Sequence, residues 1–195
     1  MRRLAFLIVA SLMALPAFAH SGAGLAGGFA AGFMHPLGGL DHLLAMAAVG
    51  IWGAFLGRPL IWVLPVAFPL VMVIGGVLGI AGVPLPHVEM GIAASVIVLG
   101  LAIAAAWRAP VPVAVAIVAL FAIFHGHAHG TELPTAAAPE AYAAGFVVST
   151  GLIHLSGIGI GLLTQLRHGT LALRTAGGVI MVCGVWILAG MPGLA

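Results

Sequence analysis

Nine histidines and four acidic residues carry most of the side-chain chemistry of this 195-residue chain. Imidazole and carboxylate without thiolate form a ligand set preferred by borderline divalent metals such as Ni, Co, Zn or Cu(II). Calcium and magnesium would require more oxygen ligands. The candidate metal ligands are His20, His35, Asp41, His42, His125, His127, His129, Glu132 and His154. The residue types alone do not choose among the borderline metals.

The stretch "HPLGGLDH" holds the first group of ligands. In one continuous helix His35 and His42 would lie about 10 Å apart along the axis, too far to share one ion. Pro36 suits the first position of a helix and disfavours helix at the residue before it, and the two glycines that follow permit a bend. We therefore expect a helix break between His35 and His42, which lets His35 fold back over the helix start toward Asp41 or His42.

The stretch "FHGHAHGTE" holds the second group of ligands. In a helix His125 and His129 share a face, whereas in an extended strand His127 would join them. Asp41 beside His42 has a structural alternative as a local pair, and the "HGHAHG" stretch has one as a solvated loop.

Two further histidines are isolated. His154 lies near the middle of an apolar run, where a polar side chain must face the protein interior. It is either a relay ligand for a metal or a residue that hydrogen-bonds a neighbouring helix. His20 would begin the mature chain after cleavage of a leader, and its amino group and imidazole could then chelate one ion together. The alternative for His20 is a solvated first residue.

The composition is that of an all-α integral membrane protein. Hydrophobic residues make up 63% of the chain and the mean hydropathy is +1.28, too apolar for a soluble domain. The apolar runs are long and unbroken, which favours helices in a lipid bilayer. A formal charge of +2 argues against a nucleic-acid partner. No prosthetic group is implied, and the oligomeric state is left open.

Residues 1–19 have the pattern of a cleaved signal peptide, with two arginines, a short apolar stretch and "AFA" at the cleavage site. The alternative is a retained anchor helix. Residues 20–195 are predicted to form a single transmembrane domain. A short glycine-rich segment, 22–34, is predicted to be re-entrant or to lie on the surface before the first span. Six spans are predicted, at about 37–57, 60–82, 88–107, 111–129, 139–165 and 171–190.

The arginines predict the orientation of these spans. Export of the mature N-terminus would place the connections that hold Arg58, Arg108, Arg167 and Arg174 in the cytoplasm. The acids Glu89, Glu132 and Glu140 would then all lie outside. The prediction is a multi-pass protein of a bacterial inner membrane with both mature termini in the periplasm.

The metal-ligand stretches resemble those of the HupE/UreJ family of nickel/cobalt permeases. The similar segments are "HPLGGLDHLLAMAAVGIWG" and "FHGHAHGTELP", and the exported leader and the six-span length also agree. The resemblance implies a secondary transporter that imports Ni²⁺ or Co²⁺ for a metalloenzyme. It also implies that His35, Asp41 and His42 bind the metal.

Two other functions are compatible with these candidate metal ligands. One is an intramembrane metalloenzyme, although the chain lacks H-E-x-x-H and Glu132 alone is a poor candidate for a general base. The other is a sensor or chaperone that faces the periplasm and never transports. A permease is the leading hypothesis, because ligands on the outer side could capture a dilute ion and pass it to His154. In the absence of a nucleotide-binding motif, such a permease would be driven by the membrane potential, a proton gradient or downhill flow.

Overall fold

A computed structural model describes residues 25–132 and 138–191, and every regular element in these ranges is helical. The helices are α1 (Leu25–Gly38), α2 (Leu40–Leu56), α3 (Leu60–Ile80), α4 (Val88–Ala104), α5 (Val111–Thr131), α6 (Pro139–Leu162) and α7 (Gly169–Ala189), with a 3-10 turn (Leu163–Gln165) before α7. The helical class is confirmed, and the six predicted helices lie within a few residues of α2 to α7. The predicted signal peptide and His20 lie outside the described residues.

Four helices, α3, α5, α6 and α7, are long and apolar enough to cross a membrane. Helices α1 and α2 meet that test only as a bent pair, which would make a fifth span. Helix α4 has 17 residues, or about 25 Å of helix, which is shorter than a hydrocarbon core of about 30 Å. The structure thus supports four or five membrane spans, and six spans are not established.

The end of α4 shows why it is shorter than the predicted 88–107 span. Ala106 adopts a left-handed conformation with φ of 51°. The backbone N–H of Trp107 then donates to the carbonyl of Ala102 at 2.9 Å. This closure satisfies a carbonyl of the last turn and is a common way to end a helix.

The break between α1 and α2 lies at Gly39, and the two helix axes differ by 82°. Gly39 has an extended backbone with φ of −102° and ψ of 119°. The predicted break between His35 and His42 is therefore confirmed, whereas the expectation that Pro36 disfavours helix at His35 is wrong, because both residues are inside α1. The packing of α1 along α6 outweighs the preference of a residue before proline for extended backbone. The expectation that the glycines permit the bend is confirmed.

Glycines bring the helices into backbone contact. A Cβ atom added at Gly126 would overlap the backbone of Met72, and one added at Gly130 would overlap Gly76, so α5 lies directly against α3. Such close approach is typical of packed membrane helices. Glycines at the other close crossings are Gly32 and Gly145 between α1 and α6, Gly50 and Gly157 between α2 and α6, and Gly100 and Gly177 between α4 and α7.

Candidate metal site

Three side chains converge where the last turn of α1 meets the end of α5. The Nε2 atom of His35 lies 2.8 Å from Nδ1 of His129 and 3.4 Å from Oε2 of Glu132. One ligand atom from each of the three residues lies within 4.8 Å of the other two. Two imidazole nitrogens and a carboxylate oxygen at this spacing could bind a borderline divalent cation. We call His35, His129 and Glu132 the outer group.

The outer group lies at the surface of the bundle. The side chain of Glu132 is 53% exposed and that of His35 is 26% exposed, whereas His129 is buried. The carboxylate of Glu132 is therefore the most accessible of the three ligands from solvent. The two imidazole nitrogens share one proton at 2.8 Å, and a bound cation would replace that proton.

Helix α5 presents its three histidines on two faces. His125 and His129 are one helical turn apart and point toward the protein interior, as the helical alternative predicted. His127 lies on the other face, and its Nε2 is 2.8 Å from the carbonyl oxygen of Val83 in the connection between α3 and α4. The structure does not bring His127 into the outer group.

The alternation of glycine and histidine in "HGHAHG" has a packing reason. Gly126 and Gly130 occupy the face of α5 that touches α3, where a side chain would overlap the neighbouring backbone. The adjacent His125 and His129 are thereby held at a fixed distance from α3. The motif therefore combines a helix contact with the placement of two imidazoles.

His42, in the first turn of α2, is oriented by its neighbour Asp41. The Oδ1 atom of Asp41 accepts hydrogen bonds from the backbone N–H and the Nδ1–H of His42, each at 2.8 Å. Because a carboxylate only accepts, the proton of the His42 ring is on Nδ1 and the lone pair is on Nε2. Carboxylates commonly orient metal-binding histidines in this way. Asp41 is thus close to the outer group but is not one of its three converging ligands.

A row of imidazole rings leads from the outer group into the bundle. The ring centroids of His35 and His129 are 4.7 Å apart, those of His129 and His42 are 4.5 Å apart, and those of His42 and His125 are 4.9 Å apart. We call these four residues the histidine row. Its inner end, His125, is completely buried.

His154 lies beyond the row and is separated from it by one aromatic ring. The ring of Phe68 in α3 is 5.4 Å from that of His125 and 5.6 Å from that of His154. His154 is 2% exposed and lies in the middle of α6, as predicted from the sequence. It does not belong to the outer group.

Within the described ranges, seven buried side-chain nitrogen or oxygen atoms have no hydrogen-bond partner. Each such atom costs about 1–3 kcal/mol, so folded proteins keep few of them unless they have a use. They are His42 Nε2, His125 Nδ1, His129 Nε2, Tyr142 Oη, Ser149 Oγ, Thr150 Oγ1 and His154 Nε2. All seven belong to α2, α5 or α6. Two sets result, one in the histidine row and one along α6 that includes His154 beyond Phe68.

A cavity of about 460 Å³ opens beside the outer group. Its wall includes His35, His42 and three carboxylates, those of Asp41, Glu89 and Glu132. A second cavity, of about 670 Å³, shares Asp41 and Glu89 and extends to the end of α7. Carboxylates concentrated at the mouth of an apolar protein attract cations to it.

Comparison with known proteins identifies the family of this chain. Residues 7–187 match the family model described as HupE / UreJ protein. The chain belongs to this family. Its members are permease-like membrane proteins and not enzymes, so the resemblance noted from the motifs is confirmed.

The protein named Protein HupE from Rhizobium leguminosarum bv. viciae is 47% identical to this chain over 179 residues. The aligned region covers 91% of this chain and 94% of that HupE/UreJ family member. No solved structure matches the chain.

Sequence reasoning missed three residues near the site. Glu89 lines both cavities, and its signal was available because acids are so rare in this chain. Tyr142 packs against the ring of His35 with centroids 5.7 Å apart, but one tyrosine in a helix carries no distinctive pattern. Ser95 contacts His125 and likewise had no sequence signal.

Proposed function

We propose that this HupE/UreJ family protein is a secondary transporter that imports Ni²⁺ or Co²⁺ across the bacterial inner membrane. The observation that supports it best is the convergence of His35, His129 and Glu132 beside an open cavity at one end of a helical membrane protein. An ion is captured there with two imidazoles and a carboxylate, a donor set suited to these metals.

The histidine row supplies the next steps of the route. Each ring is within 4.9 Å of the next, centroid to centroid, so an ion can gain a new imidazole before it leaves the previous one. Stepwise exchange of ligands avoids full dehydration of a divalent cation in a low-dielectric interior, which would be prohibitive. To reach His154 the ion must then pass Phe68, whose ring has to move aside.

Asp41 acts in this proposal by holding His42. Its Oδ1 accepts hydrogen bonds from the backbone N–H and the Nδ1–H of His42. The Nε2 atom of His42 is thereby left free to bind the ion. Glu89 and Glu132 contribute negative charge at the cavity mouth, where a dilute cation must be collected. His20 remains a proposed additional ligand at the start of the mature chain.

Metal uptake by intact cells tests the proposal. Cells that lack their own nickel and cobalt uptake systems are given this chain, and accumulation of Ni²⁺, Co²⁺, Zn²⁺ and Cu²⁺ is measured side by side. The matched variants are His35→Ala and His168→Ala, because His168 lies at the start of α7, outside both the outer group and the cavity beside it. We expect Ni²⁺ or Co²⁺ uptake in the parent and in His168→Ala and loss in His35→Ala.

Uptake no greater than in empty cells, or equal uptake by the parent and His35→Ala at equal expression, would reject the proposed transport. A sensor or an enzyme would give that outcome while still binding metal. Metal content of the purified protein separates them, since an enzyme should retain a tightly held ion.

We also propose six crossings with both mature termini in the periplasm. The support is that the arginines and the acids of the mature chain would lie on opposite sides. A reporter fused after Arg108 should be active in the cytoplasm, and one fused after Ala195 should be active in the periplasm. A cytoplasmic C-terminus would contradict the six-span arrangement.

A further inference from the structure

Ser95 of α4 contacts the inner end of the histidine row. Its side chain is completely buried, and its Oγ lies 2.6 Å from the carbonyl oxygen of Ile92 and 3.0 Å from Nε2 of His125. Both contacts are within hydrogen-bonding distance. The serine therefore joins the backbone of α4 to a histidine of α5.

The two contacts determine which nitrogen of His125 carries the proton. A serine hydroxyl has one proton to donate, and the carbonyl of Ile92 can only accept. At 2.6 Å that proton must lie between the two oxygens. The Oγ atom of Ser95 can then only accept from His125, so Nε2 of a neutral ring is protonated and Nδ1 carries the lone pair.

The Nδ1 atom of His125 is buried and has no partner in the described residues. The ring centroids of His42 and His125 are 4.9 Å apart, and Nε2 of His42 is likewise buried and without a partner in the described residues. Asp41 holds His42 with the proton on Nδ1, whereas Ser95 holds His125 with the proton on Nε2. Each neighbouring ring thus offers one lone pair, from opposite ring nitrogens.

We infer that Ser95 is a positioning residue, which holds His125 in the tautomer and orientation that let Nδ1 receive the ion from His42. The inference rests on the proposed function, since it concerns a step that follows capture by the outer group. Without the hydroxyl, the ring of His125 can rotate, and its proton can move to the nitrogen that has to bind the metal.

Kinetics of Co²⁺ uptake in proteoliposomes test the role of Ser95. Substitution of residues that orient metal-binding histidines typically costs about 10–100-fold in affinity or activity. We expect Ser95→Ala to lower the maximal uptake rate about tenfold or more. The KM should change less than about twofold, because the outer group is intact. Ser95→Thr keeps the hydroxyl and should recover most of the rate.

A double-mutant cycle separates positioning from a general effect on packing. If Ser95 acts through His125, then Ser95→Ala should add nothing to the loss caused by His125→Ala. A further loss in the His125→Ala background, an unchanged rate in Ser95→Ala, or no recovery in Ser95→Thr would each overturn the inference.

The tautomer itself is observable. In protein labelled with ¹⁵N-histidine at neutral pH, the signals absent from His125→Ala should show a protonated Nε2 and an unprotonated Nδ1. Ser95→Ala should shift them toward a mixture of tautomers. Unchanged signals would overturn the inference. If His35→Ala abolishes uptake while the Ser95 tests fail, the proposed transport stands and only the role of Ser95 is rejected.

Discussion

His127 and His129 are two residues apart on α5, yet their substitution should have opposite consequences. His129 lies in the outer group and also contacts the ring of His42, whereas His127 hydrogen-bonds the carbonyl of Val83 on the other side of the helix. We expect His129→Ala to weaken metal binding at least about 100-fold and His127→Ala to leave it largely intact. The two variants remove the same number of atoms from the same motif.

The sizes of both effects follow from the contacts. Loss of a residue that merely orients a ligand costs about 10–100-fold in affinity, so loss of one of three ligands should cost at least about 100-fold, or about 2.8 kcal/mol. His127→Ala loses one partly buried hydrogen bond to the carbonyl of Val83, which should lower the free energy of unfolding by about 0.5–1.5 kcal/mol. His127→Gln, which keeps a donor, should recover part of that stability.

Two measurements on each purified variant separate the effects. Calorimetric titration with Co²⁺ reports affinity, and thermal unfolding in detergent reports stability. If His127→Ala loses as much affinity as His129→Ala while it remains folded, then His127 contributes to binding and the division of α5 into two faces is wrong. Retained affinity in His129→Ala would reject the outer group as the metal site.

Three further predictions concern packing, protonation and the interior of the bundle. Gly126→Ala should force α5 away from Met72 and destabilise the protein by about 1–3 kcal/mol in thermal unfolding. Gly151→Ala is the control and should not destabilise it, because the space around an added Cβ is open. Equal stability of the two variants would contradict the close packing. Uptake should decrease as external pH falls below about 6.5, because imidazole must be deprotonated to bind a metal, and an uptake rate that rises in acid would argue against histidine ligands. His154→Ala should block uptake but leave Co²⁺ binding in calorimetry unchanged, because His154 lies outside the outer group; loss of both would place His154 in the primary site.

The membrane class and the approximate helix positions could be predicted from local sequence. Long apolar runs require helices in lipid, and this requirement does not depend on which helices are neighbours. The ends of the helices were less predictable where tertiary contacts decide them. His35, for example, stays helical because α1 packs along α6. The number of membrane crossings also depends on how the α1–α2 bend sits in the bilayer, and composition does not specify that.

The amino-acid sequence by itself determined the chemistry of the candidate site, because nine histidines and four acids in a chain with only 5% charged residues have few other uses. Only the tertiary structure decided which of them meet. His35 and His129 are separated by 94 positions, and their contact depends on the fold that brings α1 to the end of α5. The same packing turns His127 away, leaves Asp41 to orient His42, and brings Ser95 to His125. Side-chain identity is a local property, whereas a metal site needs ligand atoms within a few ångströms of one another, and helix packing alone sets those distances.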